Sequence, residues 1–202
     1  ELSLKITIVD ALMKNSIMEM NNLELIQAIQ SNKLNVCVIG IGRIGLPTAL
    51  SFAKSGFSTI GVDINKHLVD TINSGVFPLK DEPGYDSIFE TVFSDKKFRA
   101  TTKIEDGVPP SDVILLSLPT PMDDQNIPYY DALKSVGKQL HDNLSKGSLV
   151  IVESTIEPGF VENVLVELIQ GDDKKLRAKC KSIREEMKEN RKKMKEKMKN
   201  HE

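Results

Sequence analysis

Cysteine, histidine and aromatic residues are scarce in this chain: its 202 residues include two cysteines, three histidines, three tyrosines, seven phenylalanines and no tryptophan. Cys37 lies in an aliphatic run and Cys180 in a charged one, so no disulfide framework is expected. His67, His141 and His201 are scattered without ligand spacing, and no metal site is expected. No stretch approaches the roughly 18 apolar residues of a membrane span. The first residues, Glu1-Leu2-Ser3-Leu4-Lys5, lack an initiator Met and the basic-then-apolar layout of a secretory signal. They read as the start of a cytoplasmic protein or of a fragment.

What is present is an ordinary globular composition, 40% hydrophobic and 28% charged. The length suits one well-cored domain with appendages. The net charge of -2 conceals an asymmetry: residues 171–202 carry 13 Lys/Arg against 7 Asp/Glu, and the rest carries 14 against 22. Three regions follow, an N-terminal helical extension over 1–34, a main domain over 35–170 and a lysine-rich helical tail over 171–202.

In the extension, Leu12, Met13, Ile17, Met20, Leu23, Ile26 and Ile29 recur at three- and four-residue steps, predicting an amphipathic helix over 10–30. In the tail, Leu176, Cys180, Ile183, Met187 and Met194 follow an approximate heptad interrupted by Asn190. A solvated helix, a self-association or partner helix and a nucleic-acid arm all remain open there. The last is disfavoured, because the tail has no aromatics and acidic residues break up its charge.

Between them, short aliphatic runs alternate with helical segments, the pattern of βαβ units around a parallel sheet. Strands are predicted at 36–39, 59–62, 98–101, 113–118 and 149–152, and helices at 44–55, 66–74, 85–94, 130–144 and 158–169, with a short turn at 104–107. The fold class is α/β, a Rossmann-type doubly wound parallel sheet of about five strands. Such a sheet would leave an edge open beside its fifth strand.

The first predicted strand runs into Gly40-Ile41-Gly42-Arg43-Ile44-Gly45, a G-x-G-x-x-G turn that opens a helix. Asp63 ends the next strand, 23 residues after Gly40. Strand, turn, helix and acidic residue together form the dinucleotide fingerprint, which is far more specific than the glycines alone. Gly40 permits the tight turn, Gly42 the approach of a pyrophosphate, and Gly45 the close packing of helix on strand. Asp63 would accept hydrogen bonds from the adenosine ribose and repel a 2'-phosphate, favouring NAD over NADP. Two further motifs close later strands, Pro119-Thr120-Pro121 and Glu153-Ser154-Thr155 with Pro158-Gly159. Both lie where ligands bind in open α/β sheets.

With the Glu82-Pro83-Gly84 loop, these segments resemble the UDP-glucose/GDP-mannose dehydrogenase family, in particular its branch oxidising UDP-N-acetylmannosamine. The resemblance covers about residues 35–165. It implies that Gly40, Ile41, Gly42, Arg43, Ile44 and Gly45 line the pyrophosphate turn and that Asp63 holds the ribose. Thr120 would lie near the nicotinamide and a catalytic water, Thr155 near the cofactor, and Glu153 would be a carboxylate assisting the water chemistry. The implied reaction is oxidation of a UDP-sugar C6 alcohol to the uronate with NAD, through a thioester on a cysteine. That cysteine belongs to a G-G-x-C segment which this sequence lacks, and neither Cys37 nor Cys180 matches it. The expectation is therefore a truncated NAD-binding domain, inactive alone, that would meet a UDP-sugar only if the missing domains were supplied. The alternative is a non-catalytic NAD-binding or assembly module whose terminal helices bind a partner, and homo-oligomer formation stays open.

Overall fold

The first predicted strand is unbroken aliphatic sequence because helices cover the sheet on both sides. In a computed structural model describing residues 5–8 (backbone only), 17, 20–79, 81–145 and 147–171, that strand is β2 (Asn35–Ile39). Val36 and Val38 face one layer with Leu46, Leu50, Ile72 and Phe89, while Cys37 and Ile39 face the other with Leu116, Leu133, Leu140 and Leu165. Alternation along a strand thus feeds two apolar cores.

The elements follow in the order β1 (Lys5–Ile8), α1 (Asn22–Gln30), β2, α2 (Gly45–Lys54), β3 (Ser58–Val62), α3 (Lys66–Asn73), α4 (Tyr85–Ser94), β4 (Phe98–Thr101), α5 (Ile104–Gly107), β5 (Val113–Leu116), α6 (Asp131–Asn143), β6 (Leu149–Val152), a π-helical turn (Val161–Leu165) and α7 (Val166–Gln170). The sheet order is β1-β6-β5-β2-β3-β4. Strands β2 to β6 are parallel, the five-stranded core expected. The order reverses between β2 and β5, which creates the crevice where such sheets bind ligands.

Four details differ from the sequence reading. The edge beside β6 is not open: β1 pairs with it antiparallel, Lys5 opposite Val152 and Ile8 opposite Leu149. The extension is therefore part strand, and its described helix is only α1, begun by a capping box between Asn21 and Glu24. Most of the first half of the predicted helix over 10–30 lies outside the described residues, as does the tail over 172–202. Strand β5 stops at Leu116 rather than 118, because Ser154 Oγ draws the chain aside, accepting from Leu118 N at 2.9 Å and donating to Leu118 O at 2.8 Å. The last helix does not begin at Pro158. Gly159, at φ 94°, turns the chain first, and the helix opens as the π turn.

Candidate functional site

Gly40 ends β2 with φ 88°, in the left-handed region that glycine tolerates best. A Cβ there would lie 2.4 Å from Ser117 O, and one on Gly45 would lie 1.8 Å from Gly40 O. Both glycines are required by packing, which presses the start of α2 against the ends of β2 and β5. Gly42 differs, because a Cβ on it would meet nothing within 4 Å. The turn is a cradle whose middle faces open space.

Helix α2 starts from Ile44 without a side-chain cap, so its first turn presents the positive end of the helix to that space. Pro47, which has no N–H to lose, is confined to this turn. Arg43 and Ile44 are exposed. Arg43 Nη2 pairs with Glu82 Oε1 at 3.4 Å, joining the turn to the Glu82-Pro83-Gly84 loop. The Arg43 side chain is 70% exposed, and the pair contributes little to stability. A groove of about 850 Å³ runs from Arg43 and Ile44 along the outer face of α2 to Ser55 and Tyr85, but Asp63, Thr120, Glu153 and Thr155 do not line it.

Asp63 ends β3, half-buried. Its Oδ2 accepts from Ile41 N at 3.0 Å and its Oδ1 from Asn65 N at 2.9 Å. The carboxylate therefore ties the glycine turn to the end of β3, while the remaining lone pairs can accept ribose hydroxyls.

Beyond the crevice, β5 and β6 bring the two strand-end motifs together. Glu153 N and Ser154 N both donate to Leu116 O, at 2.9 and 3.2 Å, and Ser154 Oγ binds the backbone of Leu118 as described. Thr120 is half-buried and Thr155 exposed. Glu153 turns towards α2, where Thr48 Oγ1 donates to its Oε1 at 3.1 Å. Its other oxygen, Oε2, is buried without a hydrogen-bond partner. Thr48 was missed in the sequence because it reads as an ordinary residue of an amphipathic helix. Its partner is 105 positions away.

The open cradle, the uncapped helix start, the Asp63 carboxylate tied to the turn and the orphaned oxygen fit a dinucleotide laid across the switch point. A sequence profile of the UDP-glucose/GDP-mannose dehydrogenase family, NAD binding domain, matches residues 34–201. The chain belongs to this family. It is an NAD-binding domain of the kind found in UDP-sugar dehydrogenases, and NAD is its cofactor. It is 42% identical over 136 residues to the UDP-N-acetyl-D-mannosamine dehydrogenase of Campylobacter jejuni, covering 67% of this chain and 32% of that protein. Among solved structures it resembles UDP-D-ManNAc dehydrogenase from Pyrococcus horikoshii, with TM-score 0.62 and 35% identity, covering 70% of this chain and 34% of that one. It also resembles GDP-mannose dehydrogenase from Pseudomonas aeruginosa, with TM-score 0.63 and 28% identity, covering 67% and 31%. The chain thus spans about a third of the length of the relatives it matches.

Among the described residues no group of three or more His, Cys, Asp or Glu could hold a metal ion, and no helix is long and apolar enough to cross a membrane. Cys37 is fully buried and unpaired. Burial pushes its thiol up to about 12 from 9.0, although the charge of Arg99 acts in the opposite sense. A thiol so protonated is no nucleophile near neutral pH. Cys180 lies outside the described residues.

Proposed function

We propose that this chain is the cofactor half of a nucleotide-sugar 6-dehydrogenase, serving oxidation of a UDP-sugar C6 alcohol to the uronate once the parts its relatives carry are supplied. The observation that carries the reading is the hydrogen bond from Ile41 N to Asp63 Oδ2, which ties the glycine turn to the acidic end of β3; the contacts of Ser154 with Leu118, beside the segments that bear Thr120, Glu153 and Thr155, support it. In this reading Gly40, Ile41, Gly42, Arg43, Ile44 and Gly45 form the pyrophosphate turn and Asp63 takes the adenosine ribose. Thr155 lies near the cofactor. Thr120 and Glu153 face the reacting end and are the catalytic residues this chain contributes. When bound, NAD supplies the hydride acceptor; the chain's own part is to bind it, orient it and exclude water around it.

The substrate class is argued from the relatives named above, among which UDP-N-acetylmannosamine is the sugar nucleotide nearest to hand. A cytoplasmic location suits a soluble dinucleotide cofactor and the unpaired Cys37. The exposed Leu23, Ile26 and Ile29 of α1 favour association with a second copy or with the missing part.

The test is turnover. The purified chain with NAD and UDP-N-acetylmannosamine should form no NADH above background, because hydride transfer needs the sugar held against the ring and acid formation needs a nucleophile. Sustained NADH formation by the chain alone would overturn the proposal.

A further inference from the structure

The least settled polar atom at the ends of β5 and β6 is Glu153 Oε2. A buried carboxylate oxygen without a donor is costly, yet this one is held in place: its sister oxygen accepts from Thr48 Oγ1. The backbone beneath is equally fixed, with the N–H groups of Glu153 and Ser154 converging on Leu116 O. The carboxylate is held by one side-chain donor above a fixed backbone and lacks a second donor.

Its place in the sheet narrows the choice of donor. Asp63 closes β3 and Glu153 follows β6, with β2 and β5 between them. Three interstrand steps of about 4.8 Å separate these two strands, roughly 14 Å, and the glycine turn at the end of β2 lies between them. A dinucleotide with its pyrophosphate on that turn and one ribose on Asp63 sends its second nucleoside towards Glu153. The donors of that nucleoside are its ribose hydroxyls and the N–H groups of the nicotinamide carboxamide, of which only the latter are absent from ADP-ribose.

We propose that Glu153 and Thr48 form a carboxamide-reading pair, in which Glu153 Oε2 accepts the carboxamide N–H and Thr48 is the positioning residue that holds the carboxylate in register. The inference rests on the reading that NAD lies across this crevice with its adenosine on Asp63. A carboxylate at this position also repels a second carboxylate, so the pair rejects deamido-NAD, whose nicotinamide amide is replaced by an acid. Reading by a hydrogen bond that the analogue cannot make is the arrangement that discriminates strongly.

The experiment is calorimetric titration of the whole chain with NAD, deamido-NAD and ADP-ribose, repeated on Glu153→Gln, Thr48→Val and Thr48→Ser. The unaltered chain should bind NAD at least ~10-fold more tightly than deamido-NAD, a modest fraction of what a well-formed polar reader achieves. Glu153→Gln should close that gap, since glutamine can donate to the acid. Thr48→Val should narrow it and Thr48→Ser restore it. ADP-ribose, which lacks the nicotinamide, should bind all four proteins equally and so reports that each is folded. Three results would overturn the pair: equal affinity of the unaltered chain for NAD and deamido-NAD, a gap unchanged by Glu153→Gln, or a loss of ADP-ribose affinity in the variants equal to that for NAD. If ADP-ribose binds but the gap is missing, the crevice reading stands without the pair. If no ligand binds, the crevice reading fails as well.

Discussion

The three glycines of the turn look alike in sequence, but they do different work. On Gly45 a methyl group would have to displace backbone, because its Cβ would fall 1.8 Å from Gly40 O, whereas on Gly42 it would enter open space. Gly45→Ala is therefore expected to destabilise the fold by roughly 3 kcal/mol, as severe overpacking does, visible as a lowered urea midpoint. Gly42→Ala should leave the midpoint unchanged while weakening NAD binding in calorimetry, since only the pyrophosphate needs that space. Cys37 gives a prediction with a definite sign. Its thiol is pushed up to about 12 in the folded chain against 9.0 when exposed, so the folded state keeps a proton that the unfolded state releases. Stability from this group is fully present below pH 9 and is lost as pH rises towards 12. The urea midpoint should fall between pH 8 and pH 10, and less so in Cys37→Ala measured against its own neutral-pH value. At this scale the tight turn at Gly40 and the position of Asp63 directly after β3 were legible because a known geometry fixes their spacing. Thr48 was not, since a hydrogen bond spanning 105 residues leaves no mark on local periodicity.

Elements were legible wherever burial made their pattern strong. Strands β2, β3, β4 and β6 fall within a residue of the runs that predicted them; in β2 the signal is strongest, because a strand covered on both faces must be apolar at nearly every position. Boundaries set by tertiary contacts were not legible. The early end of β5 depends on Ser154, two residues past the end of β6, and the π turn at Val161–Leu165 follows a glycine bend that reads equally well as a helix start. Strand β1 escaped notice because four residues carry little signal and its partner stands nearly the whole domain away, Ile6 opposite Ile151. That strand has a measurable consequence. It covers the edge of β6 that would otherwise offer unpaired backbone groups to another chain. Ile6→Pro removes a ladder donor and should increase self-association in sedimentation velocity at unchanged NAD affinity. An unaltered sedimentation profile would show that β1 is not what protects this edge.

At the scale of the molecule, a glycine cradle tied to Asp63 stands at the strand ends of a doubly wound sheet, in a family whose domain binds NAD. Fold and cofactor were open to a sequence reading because strand, turn, helix and Asp63 form a local, ordered signature, whereas the pairing of Glu153 with Thr48 needed the folded chain. Asp63 is central, since it binds the turn through Ile41 N and keeps lone pairs with which it would take the ribose of the proposed reading. The measurement that tests the account most directly is a calorimetric comparison of NAD with NADP on the unaltered chain and on Asp63→Ala. The unaltered chain should bind NAD at least ~10-fold better than NADP, as expected when a carboxylate repels the 2'-phosphate, and Asp63→Ala should lose NAD affinity and most of the preference. Absence of NAD binding by the folded chain, or equal affinity for NAD and NADP, would contradict it.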